Sequence, residues 1–328
     1  MSAPSGNGAP VPSPEARLTG WRFRAAIWSV GLSATGYLLL SLIGGWREVS
    51  SALAQVGLSG IVLALTLSML NYTLRFLRWT TYLAAMEHTL PWPTSLRIYL
   101  AGFALTTTPG KAGEALRGVL LRPWGVPYAN SLAAFFSERL SDMLAILLLA
   151  LAGLTLYPDA APVLVAGWGV VLFALFVLSN GRLLRWAHCR IVGTSWPRTV
   201  MQHLLDVLIQ ARRCHAPRLM IVATVLGTAG WAAEAFAFYM ILLWMGIDVS
   251  LAVAVFIFAI SILVGALSFM PGGLGSTEGV MAALLIWQGA GGAESVAATV
   301  LIRLTTIWFA VAIGAGLLVM MRPRTLSS

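Results

Sequence analysis

The chain is a succession of long apolar runs separated by short polar punctuation. Runs near 25–46, 58–78, 130–156, 162–179, 218–245 and 294–320 are each long enough to cross an apolar layer ~30 Å thick at ~1.5 Å per helical residue. Two stretches depart from that pattern. Residues 96–122 and 251–290 each hold an apolar helix, a Pro-Gly break and a second helix. In the first, either arm has only about 13 residues, too few to span and of a length that suits a re-entrant hairpin. The pattern predicts an all-α polytopic membrane protein with about six crossing helices and two re-entrant helical hairpins.

Composition agrees with the pattern. The 328 residues are 59% hydrophobic and 10% charged, with a mean hydropathy of +0.84, whereas soluble domains carry about 25% charged residues. Backbone in lipid must satisfy its own hydrogen bonds, so nearly all of the chain is expected to be helical. Residues 1–24, rich in Ser, Pro and Gly, read as a disordered cytoplasmic tail. The run 25–46 is too long for the apolar core of a signal peptide, and no small-residue cleavage pattern follows it, so it is read as a retained helix. Residues 25–321 are then a single transmembrane domain, and 322–328 a second cytoplasmic tail.

Charge sets the sidedness. With the N-terminus inside, Arg17, Arg22 and Arg24, then Arg97, Lys111, Arg117 and Arg122, then Arg182, Arg185, Arg190, Arg198, Arg212, Arg213 and Arg218, and finally Arg322 and Arg324 face the cytoplasm. The outer loops hold Arg47 beside Glu48, Asp159, Asp248 and Glu294. This is the positive-inside asymmetry. The net charge of +9 follows from topology and attraction to anionic headgroups, and needs no nucleic acid. In the cytoplasmic loop 181–217, Val200, Met201, Leu204, Leu205, Leu208 and Ile209 recur at helical spacing. They predict an amphipathic helix, lying either on the inner leaflet or against the protein. Cys189 and Cys214 share this basic loop and imply no disulfide framework.

The two broken stretches repeat a plan. Pro109-Gly110 in PGKAGE is followed, inside a crossing helix, by Arg139; Pro271-Gly272 in PGGLGSTEG is followed in the same way by Arg303. A long helix precedes each break, 58–78 and 218–245. The unit is helix, broken hairpin, helix with a buried arginine, over about 58–156 and 218–320. The first unit enters from outside and the second from inside, which is an inverted-topology repeat of the kind used by secondary transporters. Broken helices at membrane depth must face protein or a wet cavity. Their N-termini present free N–H groups and the positive dipole end to an anion. Gly110, Gly113, Gly272, Gly273 and Gly275 would let an anion approach, and two tips from opposite sides would build one polar site.

Ionisable residues inside the apolar runs point to the same place. SERLSD supplies Glu138, Arg139 and Asp142, with Glu138 and Asp142 on one helix face. Glu234 and Arg303 lie inside other crossings, and Glu114, Arg117 and Glu278 flank the breaks. A charge at membrane depth costs at least ~2.5–3.5 kcal/mol, so these side chains are expected to face the bundle interior and pair. Arg139 and Arg303 are expected to hold a phosphate, with Glu114, Glu138, Asp142 and Glu278 orienting them. The plain alternative is an ion pair, Glu138–Arg303 or Arg139–Glu278, that only locks helices together. Arg75 and Arg78, near an inner helix end, are expected to snorkel to the interface.

RFLRW at 75–79, TTTPGKAGEALR at 106–117, SERLSD at 137–142 and MPGGLGSTEG at 270–279 together resemble the signature blocks of the lysylphosphatidylglycerol synthase transmembrane-region family. That family includes the flippase half of the bacterial multiple peptide resistance factor and stand-alone membrane proteins, some of them from hopanoid gene clusters. The resemblance covers about 24–321. It implies two re-entrant hairpins, movement of a phospholipid or lipid-linked headgroup between leaflets, and residence in a bacterial inner membrane. No aminoacyl transferase segment follows the membrane region, so lipid lysylation is not expected.

Enzyme chemistry finds little footing. His88, His188, His203 and His215 all fall outside the predicted crossings. No aspartate cluster has the spacing of a Mg²⁺-diphosphate site, and neither HExxH nor GxSxG occurs. No metal and no cofactor is expected. The expected partners are membrane lipids, anionic phospholipid or a lipid-linked substrate, with association into a homo-oligomer or with a lipid-synthesising enzyme left open. The alternative reading is a membrane-embedded enzyme or accessory subunit acting on a glycolipid, polyprenyl phosphate or hopanoid.

Overall fold

A computed structural model describes residues 46–107, 112–154, 157–158, 161–191, 196–268 and 270–321. Among them every regular element is helical. In chain order these are α1 (Trp46–Ala85), α2 (Trp92–Ala101), α3 (Ala112–Leu121), α4 (Tyr128–Ala150), α5 (Ala161–Ser179), α6 (Gly181–Arg190), α7 (Trp196–Cys214), α8 (Pro217–Trp244), α9 (Leu251–Leu267), α10 (Ser276–Trp287), α11 (Gly292–Arg303) and α12 (Phe309–Met320). The tails 1–24 and 322–328, the run 25–45, and Pro109, Gly110 and Lys111 lie outside the described residues.

Local chemistry accounts for most helix boundaries. Pro217 opens α8 and Pro127 precedes α4, positions where the missing N–H costs nothing. The Ser250 hydroxyl caps α9 by accepting from the Val253 N–H at 3.3 Å. Gly57 sits at φ +66° and kinks α1, so the predicted crossing 58–78 is the straight part of a longer helix. The arginine-bearing crossing near 294–320 is also continuous. α11 and α12 are joined by a π-helical turn, Leu304–Trp308, immediately after Arg303. Such turns insert one residue into the helix and recur at functional sites.

Arg47–Ala85, Ala161–Ser179, Pro217–Trp244 and Gly292–Met320 are long and apolar enough to cross a membrane. α4 has the length but carries Glu138, Arg139 and Asp142. The broken stretches appear as α2 with α3 and as α9 with α10; α9 and α10 are joined through the turn at Pro271–Gly273, and α2, α3 and α10 are short. α1 packs along α8 at the centre of the bundle. Around that pair the contacts are reciprocal. α4 packs on α8, while α11 packs on α1. α2 and the turn after it pack on α12, while α9 packs on α4.

Small residues make the central contact close. Asn71 Nδ2 donates to the Gly230 carbonyl at 3.0 Å, and a β-carbon on Gly227 would stand 2.7 Å from Arg78 Nη1. Glycines 227 and 230 thus let α1 and α8 approach and leave room for a buried guanidinium. α6 and α7 pack on each other. α7 also packs on α4 and α1, burying Leu205, Ala211 and Cys214. Its other side leaves Trp196, Val200, Met201 and Leu204 exposed.

Candidate functional site

α4 carries the densest cluster of buried charge. Asp142 is approached by three guanidinium groups. Arg78 Nη2 lies 2.6 Å from Oδ1, while Arg75 Nη2 at 3.3 Å and Arg139 Nη2 at 2.9 Å reach Oδ2. Trp231 Nε1 on α8 donates to Oδ1 at 3.1 Å. Arg78 is 0% exposed, yet its Nε and Nη1 have no hydrogen-bond acceptor, and neither has Nε of Arg75 or Arg139. Three cations around one carboxylate leave a surplus of positive charge, with donor hydrogens unspent. Arg139 is the most open of the three, with 27% of its side chain exposed. The arrangement has the chemistry of an anion site.

One turn earlier on α4, Glu138 is fully buried and accepts from Arg117 Nη1 at 2.8 Å. Arg117 reaches it from α3 across the face of α2. Its guanidinium lies 4.3 Å from the Tyr99 ring centroid, with Trp79 and Phe103 nearby. This aromatic lining desolvates the cation while offering π-faces to it. Gly102 is required here, because a β-carbon would collide with the Arg117 side chain.

The third pair joins α11 to the second broken stretch. Arg303 Nε donates to Glu278 Oε1 at 2.6 Å, and Nη2 donates to the Gly272 carbonyl at 3.0 Å. The other Glu278 oxygen accepts from the Gly275 N–H at 2.6 Å, so the N-terminus of α10 is capped by its own glutamate. Tyr72 Oη donates to the Thr306 carbonyl within the π-helical turn at 2.6 Å, fixing the strand of backbone that follows Arg303.

The second break meets the described end of the first stretch. A β-carbon on Gly272, which sits at φ +62°, would lie 3.3 Å from the Thr107 Cα, and the Ile307 side chain is equally close. The end of the first stretch therefore meets the break of the second beside Arg303. Among the described residues no three His, Cys, Asp or Glu side chains converge as metal ligands would.

The profile of the lysylphosphatidylglycerol synthase TM region family matches residues 26–314. The chain belongs to this family. A UPF0104 membrane protein of Methanothermobacter thermautotrophicus is 24% identical over 311 residues, covering 87% of this chain and 91% of the relative. Another, from Pyrococcus horikoshii, is 21% identical over 330 residues, covering 90% and 97%. Membership makes this a membrane protein and supports a lipid-related role, and both of these relatives are archaeal.

Within this family member, the residues expected at the site fall into separate groups. Glu138, Arg139 and Asp142 share α4, and Arg117 joins Glu138. Arg303, Glu278, Gly272, Gly273 and Gly275 form the second group, and Glu234 is buried on α8. Gly113 and Glu114 lie on α3, but the Glu114 side chain is outside the described residues, as are Pro109 and Gly110 and the side chain of Pro271. Three expectations need correction. The pairs Glu138–Arg303 and Arg139–Glu278 do not form; the partners are Glu138–Arg117, Asp142–Arg139 and Glu278–Arg303. Arg117, counted with the cytoplasmic charges, is 3% exposed within the bundle. Arg75 and Arg78 do not snorkel, because Asp142 supplies a buried counter-charge and Gly227 the space. Trp231 was not singled out at all. The signal for the two arginines was available, since residues three apart on an apolar helix share a face.

Proposed function

We propose that this protein is a transporter, not an enzyme, that carries the phosphate-bearing headgroup of an anionic phospholipid or lipid-linked molecule between leaflets. The observation that carries the reading is the Asp142 cluster, where Arg75, Arg78 and Arg139 surround one carboxylate with donors unspent. A buried surplus of guanidinium groups is costly unless an anion visits it. Arg139, the most exposed of the three, makes first contact, while Arg303 waits where Gly272 meets Thr107. Arg303 is held meanwhile by Glu278, which an incoming phosphate displaces. The acyl chains stay in lipid and only the headgroup crosses.

The reciprocal packing of α4 on α8 and α11 on α1 supports an inverted repeat with α1 and α8 on its pseudo-axis. In this reading the hairpins α2–α3 and α9–α10 enter from opposite faces and both termini are cytoplasmic. The lipid-facing sides stay apolar, as exposed Val165, Phe173 and Phe176 on α5 illustrate.

The test is leaflet exchange in proteoliposomes. Acyl-labelled fluorescent phosphatidylglycerol is reduced from outside by dithionite, and the protected fraction is followed. The reading expects faster loss of protected signal than in protein-free vesicles, with phosphatidylglycerol favoured over phosphatidylcholine. Identical kinetics with and without protein would overturn it.

A further inference from the structure

An open cavity of about 460 Å³ lies where α5 ends and α6 begins. Phe176 and Ser179 line it from α5, Arg182 and Arg185 from α6, and Arg212 from α7. All three arginines are exposed. Among the described residues none of them has an ion-pair partner. Asp206, the single acid on these three helices, faces His188 at 3.1 Å, and the nearby Glu87 is taken by Arg213 at 3.2 Å. Three like charges thus share one cavity without a counter-charge.

The backbone permits this convergence. Asn180 starts a new helix directly after α5, its side chain accepting from the Leu183 N–H at 3.1 Å. A β-carbon on Gly181 would stand 2.8 Å from Arg212 Cζ and Nη1. The glycine therefore lets the α7 guanidinium lie against the first turn of α6, which carries Arg182. Depth is set by α5. Its 19 residues are about 28 Å long at ~1.5 Å per residue, close to the thickness of a hydrocarbon core. The cavity at its end stands at headgroup level, and Phe173 and Phe176, 69% and 61% exposed, lead away from it along the apolar helix.

We propose that this cavity binds the phosphate of an anionic phospholipid whose acyl chains lie along α5 past Phe176 and Phe173. Arg182, Arg185 and Arg212 supply charge-assisted donors, and the Ser179 hydroxyl a neutral one. A basic pocket at the end of a membrane helix is the setting in which anionic headgroups are held. Soluble phosphate offers the same charge but leaves Phe176 uncovered, so the aromatic wall selects the lipid. The bound lipid ties α5, α6 and α7 to one another. None of these residues belongs to the Asp142 or Arg303 groups, so the site stands whether or not the protein translocates lipid.

The experiment photo-crosslinks the full chain in phosphatidylcholine nanodiscs containing a trace of phosphatidylglycerol with a photoreactive acyl chain, and maps the labelled peptides by mass spectrometry. Wild type is expected to be labelled on α5 around Phe176, more strongly than by phosphatidylcholine carrying the same group. Arg182→Gln, Arg185→Gln, Arg212→Gln together should lower that labelling by about tenfold to a hundredfold. Gly181→Ala, which keeps every charge but pushes Arg212 aside, should lower it severalfold. Arg190→Gln, whose guanidinium stacks on Trp186 instead of lining the cavity, should leave it unchanged. Equal labelling by the two lipids, or undiminished labelling in the folded triple variant, overturns the inference. Full displacement by millimolar inorganic phosphate assigns the cavity to a soluble anion and overturns it too.

Discussion

Gly272 stands against Thr107: a β-carbon on the glycine would lie 3.3 Å from the threonine Cα. Far apart in the chain, these residues bring the two broken stretches into contact. Gly272 also offers its carbonyl to Arg303 at 3.0 Å. The junction thus needs a residue without a side chain, in the left-handed region, with its carbonyl turned towards a buried cation.

Gly272→Ala should cost about 1–2 kcal/mol from its φ of +62° alone. Gly314→Ala should cost about 1–3 kcal/mol, because its β-carbon would meet the Leu100 carbonyl oxygen and the Phe103 carbonyl carbon at 2.9 Å. Both contacts are backbone and give little. Gly169→Ala, with nothing within 4 Å, should be near neutral. Thermal unfolding in detergent orders the three; equal midpoints would remove the packing argument.

Asp142→Asn removes the charge that Arg75, Arg78 and Arg139 share. Breaking a buried pair strands a cation, so a loss of ~3–5 kcal/mol is expected. Trp231→Phe removes one bond to the same carboxylate and should cost less, ~1.5–3 kcal/mol. Equal, small losses would show that the arginines find other partners.

His215 gives a pH dependence outside the spans. Its Nδ1–H donates to the Ala211 carbonyl at 2.9 Å, and Nε2 is buried without a partner. Burial pulls its proton affinity below the ordinary 6.5. The unfolded chain therefore binds the proton more readily, and stability is complete above about pH 6.5 and falls as pH drops below it. His215→Leu should shallow that fall, measured as unfolding midpoint against pH. An unchanged slope would assign it to other groups.

The exposed apolar side of α7 should rest on the bilayer. An environment-sensitive dye on cysteine at Val200 or Leu204, both exposed, should shift to the blue in anionic vesicles. The same dye at the exposed Arg213 site should shift less. Equal emission at the three positions would leave that side in water.

Much of this was legible in the sequence. Run length located the helices at 162–179 and 218–245 almost to the residue, because a membrane allows little but helix. Charged residues in apolar runs marked Glu138, Arg139, Asp142 and Arg303 as interior. Pairing was not legible, because it depends on which helices touch. Arg78 is buried because α8 places Gly227 beside it, and Arg117 because the turn after α2 places Gly102 beneath it. The π-helical turn after Arg303 left no pattern in the run. α7 was expected either on the leaflet or on the protein. It packs against the protein with Leu205 and Cys214 while leaving Trp196 and Leu204 exposed, since a helix has more than one face.

In the proposed translocation, buried arginines carry a lipid headgroup past the place where Gly272 meets Thr107. The most direct measurement is the initial rate of phosphatidylglycerol exchange by an Arg139→Ala, Arg303→Ala double variant that elutes as wild type and keeps its helical circular dichroism. Two lost charge-assisted contacts, at ~1.5–3 kcal/mol each, predict a fall of about a hundredfold or more. Restoring Lys at position 303 should recover only part of it, because an ammonium lacks the guanidinium fork. A wild-type rate in the folded double variant would contradict the account and leave Arg139 and Arg303 as ties between helices.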